Sequence, residues 1–157
     1  LEDLGYLTPD VHSLRKKVGA PGMKVLQFAF DSREESDYLP HNYDANCVVY
    51  TGTHDNDTML GWMHTAPQAD VRFSKKYLNI RRSAEANWEY IRSAYQSVAA
   101  LAVIPLQDFL GLGSEARINT PSTLGQNWRW RVSPGSCTEE LAARIRDFTA
   151  LYGRLTK

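Results

Sequence analysis

The stretch Cys47-Val48-Val49-Tyr50-Thr51-Gly52-Thr53-His54-Asp55-Asn56-Asp57-Thr58 changes character at its middle. Its first five residues are apolar or β-branched, the make-up of a short buried strand. A polar cluster follows, and then a helical segment predicted from Thr58 to Met63. A strand that ends in a polar loop and hands over to a helix is the unit from which parallel α/β proteins are built. In such folds the side chains that do chemistry stand just beyond the C-terminal ends of the strands.

The same unit can be read on both sides. Upstream, Thr8-Pro9-Asp10 is a helix start, with Thr8 as N-cap, Pro9 at the first helical position and Asp10 near the positive end of the dipole. That helix is expected to run to about Lys17. Gly19 takes a left-handed cap, and Met23 to Phe30 reads as a buried strand. Downstream, Ala84 to Ala100 places Trp88, Ile91, Tyr95 and Val98 at helical spacing, and Ala102-Val103-Ile104-Pro105 is a third strand-like run. Residues 111–135 are rich in Gly, Pro, Ser, Asn and Thr and predict a long structured loop. Ser136-Cys137-Thr138-Glu139 has capping-box spacing, after which Leu141, Ile145, Phe148 and Leu151 trace one face of a closing helix. Three strand-then-helix units predict an α/β fold with a parallel sheet covered by helices. An eight-stranded barrel needs about 250 residues, so three or four of its units are what 157 residues can hold. The chain opens directly on Leu1-Glu2-Asp3-Leu4-Gly5 and reads as a piece of something longer.

Composition narrows the partners. Eighteen basic and eighteen acidic residues leave no net field to gather nucleic acid or anionic lipid. Cys47 and Cys137 show no metal-ligand or disulfide spacing, which points to free thiols in a reducing compartment, the cytoplasm, and to no metal. No apolar run has the length of a membrane span. A neutral ligand fits this balance. The polar clusters at Glu2-Asp3 and His54-Asp55-Asn56-Asp57 put carboxylates where two separate segments can meet on one rim. Glycoside chemistry needs such a set: one carboxyl to protonate the leaving oxygen, others to stabilise or capture the cationic sugar. Asp55 and Asp57 fit Asx turns or a cap of the helix at Thr58 equally well on spacing, with Asp57 the better cap. A calcium loop is excluded, because Met59 and Leu60 stand where an oxygen ligand and the Gly would be needed.

Four linked motifs carry a resemblance. Glu2-Asp3-Leu4-Gly5 with Thr8-Pro9, Pro21 through Phe30, Leu39-Pro40-His41-Asn42-Tyr43 and Tyr50 through Thr58 stand in the order and near the gaps of the 4-α-glucanotransferase (amylomaltase) family. The similarity continues through Pro105 to Asp108, Leu110 to Arg117, Asn119-Thr120-Pro121 and Asn127-Trp128, nearly the whole chain. It implies that the chain is the C-terminal portion of a (β/α)8 TIM-type barrel, a single-domain fragment over residues 1–157. The implied activity is transfer of 4-α-glucanosyl segments between α-1,4-glucans by a retaining double displacement, with no cofactor. On this resemblance Glu2 is the general acid/base and Asp55 the carboxylate that stabilises the oxocarbenium-like transition state. His54 binds sugar hydroxyls, Phe28 lies on the acceptor side, and Asn119 to Trp128 form a loop over the glucan. Trp128 or Trp130 then stacks on a sugar ring, with core packing the alternative for either and also for Phe28. His41 and Asn42 are expected near the cleft. The family's nucleophile lies on a strand before Glu2, so the chain alone is expected to be inactive and to rely on the remainder of the barrel or on self-association. Leu1, where a small residue is common, and Ser122, where the family often has Gly, depart from the pattern. A hydrolytic α-amylase-type enzyme, the transferase domain of a debranching enzyme and a non-catalytic glucan-binding module remain alternatives.

Overall fold

The computed structural model describes Leu4 and residues 8–155. It is built from helix α1 (Pro9–Val18), strand β1 (Gly22–Val25), strand β2 (Cys47–Tyr50), helices α2 (Met59–Thr65), α3 (Gln68–Tyr77) and α4 (Ala86–Gln96), strand β3 (Leu101–Val103), and helices α5 (Leu106–Leu110) and α6 (Glu139–Leu151). The three strands form one parallel sheet in the order β1-β2-β3. Gly22 is paired with Cys47 and Val25 with Tyr50 across the first ladder, and Val48 with Leu101 and Tyr50 with Val103 across the second. All three strands therefore end at the same level, and the loops that follow them gather at one rim.

One face of this sheet is covered by helices. Cys47 and Val49 are fully buried there with Leu26, Phe30, Met59 and Tyr90, while Ala102 packs against them. Phe30 sits at the centre, its ring 5.8 to 6.1 Å from those of Trp62, Phe73, Tyr77 and Tyr90. A second cluster forms where Trp88, Ile91 and Tyr95 of α4 meet Leu141, Ile145 and Phe148 of α6. Burial of side chains this large contributes about 1.5 to 3 kcal/mol each, which is what fixes the two helices against one another. Among the described residues no helix lies over the opposite face of the sheet: Leu101 and Val103 are exposed, as are Val11, Leu14 and Val18 along one stripe of α1.

Several elements differ from the sequence reading. Gly19 is left-handed at φ 71° and Thr8 stands at the N-cap position of α1, but the Thr8 side chain makes no capping bond. The run from Met23 to Phe30 is a strand only as far as Val25. Leu26–Phe28 form a 3-10 turn, closed by Ala29 N–H donating to Leu26 O at 3.0 Å. The reason is the spacing of the buried residues: Leu26, Ala29 and Phe30 bury together at offsets of three and four, a helical rather than an alternating pattern. The cap of α6 is Thr138, which accepts from Leu141 N–H at 3.1 Å, rather than Ser136. Leu151 points to solvent and Tyr152 takes its place against the core. Helix α3 and the short α5 were not anticipated.

Candidate active site at the strand ends

Over the uncovered face of the sheet, and reaching the loops at the strands' C-terminal ends, lies an open cavity of ≈ 1120 Å³, walled by Met23, Val48, Tyr50 and Val103 of the sheet and by His54, Asp55 and Asn56 of the loop after β2. The loop is shaped from within. Asn56 Oδ1 accepts from Thr53 N–H at 2.9 Å and from the Thr53 hydroxyl at 2.8 Å, a side-chain turn that lifts His54 and Asp55 to its outer edge. Gly52 lies so close to Gln27 that a Cβ there would stand 2.7 Å from Gln27 Nε2, and that amide donates to Asp57 O at 2.6 Å.

The two aspartates divide the roles that spacing alone left open. The carboxylate of Asp57 accepts from Thr58 N–H at 2.8 Å and from the Ser114 hydroxyl at 2.6 Å, so it ties the loop to the 3-10 turn Ser114–Ala116. It is not the cap of α2. That position belongs to Thr58, whose hydroxyl accepts from Gly61 N–H at 3.0 Å. Among the described residues the Asp55 carboxylate accepts no backbone N–H. Its Oδ1 receives the side-chain amide of Asn119 at 2.6 Å and lies 3.2 Å from His54 Nε2, while close to half of the side chain remains open to solvent. A carboxylate oriented by an amide donor and a neighbouring imidazole at a cavity wall is placed to face positive charge developing on a ligand.

The long segment after α5 completes the rim. Asn119 N–H donates to His54 O at 3.0 Å, and Arg117 bridges the two segments, donating to Asp55 O at 2.7 Å and to Asn119 O at 2.9 Å. Trp128 N–H donates to Ile118 O at 2.7 Å, which closes the base of the 119–128 loop, and Leu124 at its tip is wholly exposed. The Trp128 ring lies 5.1 Å from the His54 ring at 36° and is 57% exposed, whereas Trp130 makes no ring contact among the described residues. Phe28 lines the cavity rather than the core, 43% exposed and set edge-on against Tyr38 at 5.6 Å. Thus Phe28, His54, Asp55, Asn119 and Trp128 are brought around one rim; Asn119 and Trp128 reach it through Asp55 and His54. His41 and Asn42 do not line it: His41 Nδ1 is 2.9 Å from the Tyr77 hydroxyl, and Asn42 donates to Ser36 O. Glu2 lies outside the described residues. Among those described, no group of three or more His, Cys, Asp or Glu side chains is arranged to hold a metal, and no helix is long and apolar enough to cross a membrane.

The sequence pattern of the 4-alpha-glucanotransferase family matches residues 1–138. The chain belongs to that family. It is 50% identical over 157 residues to the chloroplastic/amyloplastic 4-alpha-glucanotransferase DPE1 of Arabidopsis thaliana, covering 98% of this chain and 27% of that protein. The 4-alpha-glucanotransferase of Thermus thermophilus is also 50% identical, over 161 residues, covering 98% and 32%. Among solved structures, the amylomaltase from Streptococcus agalactiae in complex with acarbose superimposes with a TM-score of 0.94 at 31% identity, over 99% of this chain and 32% of that one. The chain therefore spans about a third or less of the length of these family members.

Arg117 and Ser114, which hold the segments that carry the two aspartates, have no individual sequence signature. The only signal for them is their place in the run Leu110 to Arg117.

Proposed function

We propose that this chain is the C-terminal part of a (β/α)8 barrel that transfers 4-α-glucanosyl segments between α-1,4-glucans by a retaining mechanism. The observation that carries the reading is the Asp55 carboxylate, exposed on the cavity wall and held by Asn119 and His54. In this reading Glu2 protonates the glycosidic oxygen as the bond to C1 breaks. A carboxylate nucleophile outside these residues takes C1, and Asp55 offsets the positive charge on the ring as it forms. Glu2 then removes the proton of an acceptor hydroxyl as that oxygen replaces the nucleophile. His54 binds sugar hydroxyls, Trp128 offers a ring face beside it, and Phe28 bounds the acceptor side. The uncovered sheet face and the apolar stripe of α1 support further units of the barrel that cover them. The cytoplasmic expectation is carried by the free thiols Cys47 and Cys137, while the Arabidopsis thaliana relative is chloroplastic/amyloplastic.

Two measurements test this. The intact enzyme converts maltotriose to glucose and maltopentaose, and Asp55→Asn lowers kcat by about a hundredfold or more while shifting KM far less. Production of short chains only would favour hydrolysis. An unchanged kcat in Asp55→Asn removes the carboxylate from the chemistry.

A further inference from the structure

Asp108 is the most deeply buried carboxylate among the described residues, at 1% exposure, and it does not line the cavity. Its two oxygens reach opposite ends of one loop. Oδ2 accepts from the hydroxyl of Thr51, the first residue after β2, at 2.5 Å, and Oδ1 accepts from the backbone N–H of Met59, the first residue of α2, at 2.7 Å. Between those two points lie residues 52–58, the segment that presents His54 and Asp55. The backbone that carries this carboxylate is anchored in turn, through its main-chain carbonyl. Asn87 of α4 donates to Asp108 O at 2.8 Å, and Gly111 N–H donates to the same oxygen at 3.2 Å.

We propose that Asp108 is a positioning residue for the Asp55 carboxylate, clamping the two stems of the 52–58 loop so that its crest keeps one height above the sheet. The proposal rests on the transferase reading of Asp55. An apolar side chain or a water fills the same space with less constraint, and neither supplies two acceptors in a fixed plane. A buried carboxylate is costly to hold, and its retention here is explained by that two-point geometry. Displacing a catalytic group by about 1 Å costs on the order of a hundredfold in rate, so a loosened stem is felt at Asp55 even though Asp108 touches no ligand. An asparagine reproduces the geometry, accepting from Met59 N–H with its oxygen and donating to the Thr51 hydroxyl with its nitrogen.

The test compares Asp108→Ala, Asp108→Asn and Thr51→Val in the intact enzyme, with maltotriose disproportionation at 25 °C and amide hydrogen exchange over 52–58. Asp108→Ala is expected to lose roughly thirtyfold to a hundredfold in kcat with KM within about threefold of wild type. Asp108→Asn recovers to within about fivefold, and Thr51→Val loses about threefold to tenfold while 52–58 exchange faster than in wild type. A kcat within about twofold of wild type in folded Asp108→Ala and Thr51→Val overturns the proposal, as does a loss confined to KM. Should Asp108→Ala not fold, Thr51→Val decides by the same criteria. Should wild-type enzyme make no glucose and maltopentaose, the transferase reading fails instead, and the exchange rates still judge the clamp: unaltered exchange over 52–58 in Thr51→Val refutes it.

Discussion

Gly61 is the third residue of α2 and is buried, and replacing it with alanine sets two effects against each other. In an open helix the change stabilises by about 1 kcal/mol, because alanine loses less backbone freedom on folding. Here a Cβ at position 61 would overlap Asp57 Oδ1, lie 2.5 Å from Asp57 Cγ and 2.6 Å from the Ser114 hydroxyl oxygen. The carboxylate has to swing away, which breaks its bonds from Thr58 N–H and Ser114. Bonds to a charged group contribute about 1.5 kcal/mol each at the lower end, fitting for a pair that reaches solvent, so about 3 kcal/mol is lost. The net expectation is a loss of about 2 kcal/mol once the helix gain is subtracted. Urea denaturation of the intact enzyme measures it, and the informative control is Gly61→Ala in an Asp57→Ala/Ser114→Ala background. With the obstructing groups gone, the same alanine becomes neutral or stabilising by up to about 1 kcal/mol. A Gly61→Ala variant as stable as wild type, or one that destabilises equally in both backgrounds, refutes the reasoning.

Ser122 holds φ 62°, a left-handed conformation that glycine adopts without strain, so Ser122→Gly is expected to raise stability by about 0.5 kcal/mol, read as a higher Tm. Arg154 donates to the carbonyls of Tyr95, Ser97 and Ala99 at 2.7 to 3.0 Å, tying the end of α4 and the turn into β3. Arg154→Ala loses about 3 kcal/mol by urea denaturation, at about 1 kcal/mol per partly exposed bond. Burial pushes the Asp108 carboxyl up to about 6 from 3.8, against the opposing pull of its bonds from Met59 and Thr51 and with the Asp57 charge adding to the rise. Its folded value lies above its unfolded one, so the stability it contributes is fully present below about pH 3.8 and is lost as pH rises through about 6. Relative to Asp108→Asn, wild type therefore loses about 1.4 kcal/mol between pH 5 and 7.5, and parallel stability profiles of the two proteins check this.

The strand-loop-helix unit at 47–65 was legible because its parts are local, an apolar strand, a polar turn and a helix within a few residues of one another, although its cap is Thr58 and not the Asp57 that the spacing favoured. The burial of Leu26, Ala29 and Phe30 was legible too, but so short an apolar run does not separate a strand from a turn, and the strand expected to Phe30 stops at Val25. Helix α3 was missed because most of its surface is charged or polar; it is held by Phe73 and Tyr77 against Phe30, contacts made more than forty residues away in sequence. The same distance hid the roles of the carboxylates. Asp57 is claimed by Ser114, 57 residues on, and Asp55 by Asn119, 64 residues on, and no local pattern distinguishes the two. Asp108 appeared only as part of a motif, since its partners lie on two other segments. Phe28, His54, Asp55, Asn119 and Trp128 were named through family likeness, and their meeting at one rim is a property of the fold.

The bond from Trp128 N–H to Ile118 O makes the 119–128 loop a module with a fixed doorway. Its two posts, Asn119 and Trp128, are held to Asp55 and His54, while Leu124 stands free in solvent between them. Lengthening such a loop at its tip costs little, because closure entropy grows only with the logarithm of length. Variation at the loop's tip is thereby uncoupled from the geometry of the carboxylate its posts hold. Residues 121–126 are where lineages, or laboratory libraries, can vary length and sequence without moving Asp55.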